Sequence, residues 1–107
     1  MAKKKLSNNA QRRAAARAAE KLATRREKLA ALEAGGAPDR PIDVASASIV
    51  EVHAKGEPCL RCGGGCRLVD HAAETIDDRR LRVVTVVCTQ CGARRAWYFR
   101  IVHESVN

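Results

Sequence analysis

A small α+β fold, one exposed basic helix at the N-terminus followed by a three-stranded antiparallel sheet, is what the 107-residue sequence predicts. Three observations carry that expectation. The first third is built from Ala, Arg, Glu, Lys and Leu and stops at Gly35-Gly36, the middle is broken by prolines, and the last third alternates with a period of two. Threaded through the last part are two short cysteine pairs, Cys59-Leu-Arg-Cys62 and Cys88-Thr-Gln-Cys91, each followed by glycine.

The helix is expected over residues 9–34, with Ser7, Asn8 or Asn9 as N-cap and Pro38 beyond its end. At 1.5 Å per residue it would be about 40 Å long. Its apolar positions Ala15, Ala18, Leu22, Leu29 and Leu32 follow a three-and-four spacing that Arg25 interrupts. So thin a stripe predicts a helix that is exposed or ordered by a partner. Residues 1–8, with Lys3, Lys4 and Lys5 in succession, are expected to be a disordered basic start.

Residues 35–47 read as a linker, since two glycines and two prolines fall between Gly35 and Pro41. Ile49-Val50-Glu51-Val52-His53 is β-prone and predicts a short edge strand. Further strands are expected at Arg67 to His71, Leu81 to Val87 and Arg94 to Val102, with Ala72 to Arg80 as a polar connection. In the last strand Trp97, Phe99 and Ile101 alternate with Tyr98, Arg100 and Val102, which gives it one apolar face. The domain is taken to run over 48–107.

Its core cannot be large. The only aromatics are Trp97, Tyr98 and Phe99, and much of the hydrophobic content is alanine. The cysteine pairs offer the missing stability. A Cys-x-x-Cys turn directs two thiolates at one point, a following glycine permits the positive φ of that turn, and two such turns complete a tetrahedron around Zn²⁺. Cys59, Cys62, Cys88 and Cys91 are therefore the expected ligands of a structural metal, zinc rather than iron. A closed tetrathiolate leaves no position for substrate, and no nucleophile, base and orienting group form a constellation, so an enzyme is not expected. Cys66 follows Cys62 after three glycines and is a competing ligand on paper, as are His53, His71 and His103. The two symmetric pairs outweigh them.

Knuckle, hairpin, knuckle and strand, from Cys59 to about Val102, resemble a zinc ribbon, and the resemblance covers somewhat under half of the chain. It implies a metal-stabilised three-stranded sheet and names no single function. The ribbon of transcription elongation factor S is a more distant echo: its acidic hairpin tip, which assists metal-dependent RNA cleavage, compares with Asp77-Asp78 here. That family carries Asp-Glu at the tip, and its tryptophan lies nearer the last knuckle. Rubredoxin shares the cysteine pairs but wraps an iron in aromatic side chains.

Charge points to the partner. The chain carries a net +8, with ten Lys or Arg against three Glu in residues 1–34 and ten against nine acids in the rest. An arm so basic suits a polyanion. The expected function is non-enzymatic nucleic-acid binding, RNA or ribonucleoprotein favoured over DNA, with Arg12, Arg13, Arg17, Lys21, Arg25, Arg26 and Lys28 on the helix and Arg94, Arg95 and Arg100 on the last strand as contacts. Partners could then include the ribosome or RNA polymerase. The alternative is a protein-interaction module of the transcription or translation machinery, docked through Leu22, Leu29 and Leu32. With no apolar leader or spanning segment, a cytoplasmic location and no membrane partner are expected, and a reducing compartment favours thiolate ligands over disulfides.

Overall fold

Residues 7–102 are described by a computed structural model. In chain order they form α1 (Asn8–Leu32), β1 (Ile42–Val44), α2 (Ala47–Gly56), β2 (Cys66–Ile76), β3 (Arg79–Cys88) and β4 (Arg94–Ile101). The expected disordered start at 1–8 falls mostly outside this range, as does His103.

Helix α1 begins as its composition requires. The Ser7 hydroxyl accepts a hydrogen bond from the Ala10 N–H at 3.1 Å, satisfying one of the free donors of the first turn. At the other end Gly35 has φ +84°, and a Cβ there would stand 2.6 Å from Ile42 Cδ1 and 3.0 Å from Trp97 Cε3. Only glycine serves both needs. The Gly35 carbonyl accepts from the Tyr98 N–H at 2.9 Å, and the Arg40 guanidinium caps the Ala31 carbonyl at 2.8 Å, so the helix terminus is tied to β4 and to its own connection.

The sheet is four-stranded and mixed, in the order β1-β4-β3-β2, which corrects the expectation of three antiparallel strands. The three expected strands are there and antiparallel, but β1 adds in parallel beside β4, with Ile42 opposite Phe99 and Val44 opposite Ile101. It lies inside the stretch read as a linker. Three residues between prolines and serines have too little pattern to register, and only the open edge of β4 makes them a strand.

The β2–β3 hairpin is also longer than expected. The polar connection from 72 to 80 shrinks to Asp77-Asp78, whose φ angles of 51° and 63° make the two-residue turn between Ile76 and Arg79. Positive φ at both central residues matches the right-handed twist of the strands, and the pairing then runs unbroken from Ala72–Val83 to the tip. A register shift between Leu68 and Asp70 leaves Val69 as a bulge in this edge strand.

Ile49 to His53 is helix, not strand. Its β-branched residues favour extension locally, but the apolar face of the sheet needs a cover, and Val50 and Ala54, four residues apart, supply one from α2. Both are fully buried against Val84, Val86, Trp97 and Phe99, with Ile42, Leu68, Cys66 and Ile101 around them. His53 sets its ring edge-on to Trp97 and Phe99 at 5.2 and 5.5 Å, and His71 Nδ1 meets Glu51 Oε1 at 3.0 Å. Both histidines on described residues thus tie α2 to the sheet. The core is one layer, between α2 and one face of β4, β3 and β2.

Candidate metal centre and basic rod

The sheet ends where the cysteines begin. Cys66 pairs with Cys88 at one end of the hairpin, so the first knuckle, just before β2, and the second, between β3 and β4, meet there. The two turns repeat each other residue for residue. Gly63 N–H donates to the Cys59 carbonyl at 2.8 Å and Gly92 N–H to the Cys88 carbonyl at 3.1 Å, while Cys59 N–H and Cys88 N–H donate to the Gly64 and Ala93 carbonyls. Gly63 and Gly92 have φ of 76° and 75°, the left-handed conformation that closes each turn.

The four sulfurs of Cys59, Cys62, Cys88 and Cys91 lie within 4.8 Å of one another. Cys59 Sγ stands 3.6 Å from Cys91 Sγ, and Cys62 Sγ 3.3 Å from Cys88 Sγ. Both exceed the roughly 2.05 Å of a disulfide. They approach the edge of about 3.8 Å that a tetrahedron with 2.3 Å metal–sulfur bonds requires. A metal ion such as zinc fits this donor set. Around it the backbone is already arranged for anionic sulfur: the Arg61 and Gly64 N–H groups point at Cys59 and Cys62 Sγ, and the Gln90 and Cys91 N–H groups at Cys88 Sγ, each at 3.4 Å.

These donors separate the thiols. N–H groups of Cys91 and Gln90 pull the Cys88 thiol down to about 6. Burial raises Cys59, but the Cys62 and Arg61 N–H groups outweigh it and leave this thiol below its ordinary value. Gly64 N–H lowers Cys62, yet the crowding of three other sulfurs, Cys88 foremost, together with burial pushes it up to about 12. Four acidic protons confined to one site leave in sequence, the last against the charge of the others.

Cys66 is not in the cluster. It packs against the core opposite Cys88, where burial raises its thiol. Among the described residues the four paired cysteines are the one group placed to hold a metal. The Asp77-Asp78 tip lies at the far end of the hairpin, roughly 30 Å away at 3.3 Å per residue.

Arg61, between the two cysteines of the first knuckle, was not singled out by the sequence. Its guanidinium grips both Glu20 and Glu27 of α1. Those acids are seven residues apart on one helix face, and Ala23 and Ala30, both buried, complete it. Small and acidic residues at that spacing were legible as a face, but a partner 41 residues away was not. Among the described residues the backbone of α1 runs close to no other helix or strand. It is held by the Arg61 clasp and the Gly35 anchor.

The seven expected cations of α1, Arg12, Arg13, Arg17, Lys21, Arg25, Arg26 and Lys28, are all exposed. Those on β4 part company. Arg94 and Arg100 lie on the face turned away from α2, and Arg100 is paired with Asp43 of β1 at 2.8 Å, which holds the Asp43 carboxyl below its ordinary value. Arg95 lies on the opposite face, its guanidinium 3.8 Å above the Trp97 ring. The three therefore form no single patch.

Comparison with family models, curated proteins and solved structures found no match to this chain. No described helix is long and apolar enough to cross a membrane.

Proposed function

We propose that this protein is a zinc-ribbon-like nucleic-acid-binding protein without catalytic activity, in which a zinc ion closes the four-cysteine end and α1 is a basic rod that follows a phosphate backbone. The observation that carries the reading is the distribution of charge on α1. Its two acids within the helix, Glu20 and Glu27, are both turned onto Arg61, so every other charged side chain of the helix is a cation exposed to solvent. Each cation that neutralises a phosphate releases condensed counterions, which yields affinity with little sequence readout.

RNA, alone or within a ribonucleoprotein such as a ribosome or an RNA polymerase complex, is favoured over duplex DNA. A single helix with no paired scaffold has no set docking geometry for a major groove. Tyr98, on the same strand face as Arg94 and Arg100, offers a ring on which an unpaired base could stack. Asp43 leaves Arg94 as the free cation of that pair.

The test is the salt dependence of affinity for mixed-sequence RNA and DNA. Seven phosphate contacts on a single strand give a slope of log affinity against log salt of about −5. Removing residues 1–34 should abolish binding and the slope together. A flat slope, or no binding at low salt, sinks the reading.

A further inference from the structure

We propose that the outward face of α1 is a docking site for an acidic amphipathic helix of another protein. Leu22, Leu29 and Leu32 are 48%, 62% and 68% exposed, although they are the largest apolar side chains of the helix. At 100° per residue their mean direction lies roughly 150° around the helix from the face that Arg61 holds. They stand away from the sheet, and the described residues leave them uncovered.

Their spacing is that of a helix seam. Ala15, Ala18, Leu22, Arg25, Leu29 and Leu32 alternate by three and four over 18 residues, the pattern by which one helix receives the side chains of another. Charge decides the occupant. Lys21 and Lys28 run along one flank, Arg26 along the other, and Arg25 interrupts the stripe, while Glu20 and Glu27 are occupied by Arg61. A second copy in parallel would set Arg25 against Arg25 and Lys21 against Arg26, and an antiparallel copy would set Lys21 and Lys28 against each other. Bare polyanion would match the cations and leave the leucines wet. A helix with leucines in its seam and carboxylates on both flanks satisfies both.

The experiment uses the full zinc-loaded chain and a labelled synthetic 28-residue helical peptide with Leu at its a and d positions and Glu at e and g. Fluorescence anisotropy should show binding that weakens with salt, falls more than tenfold in L22A/L29A and in K21E/K28E, and is absent for the same peptide with Lys in place of Glu. Alanine keeps helix propensity, and circular dichroism of the variants verifies that α1 persists. Failure of the acidic peptide to bind, or equal binding to L22A/L29A, overturns the proposal. So does a wild-type dimer in sedimentation that L22A/L29A dissociates, or leucine-dependent flotation with 70:30 phosphatidylcholine:phosphatidylglycerol vesicles in place of peptide binding. L22A/L29A removes no cation and should leave the RNA salt slope unchanged, so loss of RNA binding with the peptide site intact would sink the proposed function alone.

Discussion

Arg61 reaches back 41 residues to Glu20, and with the Gly35 anchor this side chain ties the rod to the head. Its pairs with Glu20 and Glu27 are solvent-accessible, and such pairs contribute little to global stability. In R61A the unfolding midpoint should therefore barely move, while amide exchange over residues 20–30 accelerates several-fold by mass spectrometry; unchanged exchange would show that the clasp does not hold α1. A second residue-scale prediction concerns Asp77 and Asp78, both in the left-handed region at φ 51° and 63°. Aspartate tolerates this conformation less well than Asn-Gly, the preferred pair for such a turn. D77N/D78G should raise stability by about 1 kcal/mol in guanidinium unfolding. A lower midpoint would mean that the carboxylates make contacts the turn needs.

Two elements of equal design, the knuckles, bring their sulfurs to one site that a metal ion such as zinc fits. Each turn alone offers two sulfurs, and the tetrahedron exists only when the hairpin register sets Cys66 opposite Cys88. One zinc per chain is expected by elemental analysis, and C91S should lose both the metal and the cooperative unfolding transition, since binding free energy here is folding free energy. Protons compete with metal for the sulfurs. With Cys88 near 6 and Cys62 near 12 in the metal-free cluster, apparent affinity should rise from pH 6 to pH 8. Calorimetry at pH 7 in buffers of different ionisation enthalpy should report fewer than four protons released, because Cys88 is already mostly thiolate. Release of four would place its thiol well above 7.

At the scale of the molecule, the principal extents of 78 × 23 × 21 Å describe a rod on a small head. A one-layer core under a ten-residue helix gives the head little apolar area of its own, and the proposed zinc would supply the stability it lacks. Exhaustive chelation should abolish the near-ultraviolet dichroism of Trp97, which sits in that core, before the helical signal of α1 is lost, since α1 lies apart from the core and is rich in alanine. Simultaneous loss of both signals would mean that α1 is folded by the head. In that arrangement the rod's cations and its leucine stripe both face solvent.

Local chemistry determined much of this protein. Ser7 and Gly35 bound α1, the glycine after each cysteine pair closes its knuckle, and alternation places Trp97 and Phe99 on the buried face of β4. Each depends on neighbours within a few residues, where spacing is itself the physical constraint. Tertiary structure decided the rest. Ile49 to His53 became helical because the sheet needed covering, Ile42–Val44 became a strand because β4 had an open edge, and Glu20 and Glu27 turned inward because Arg61 was there to receive them. In each case the deciding partner lies tens of residues away, and a weak local preference yields to the burial or pairing that only the assembled chain can offer.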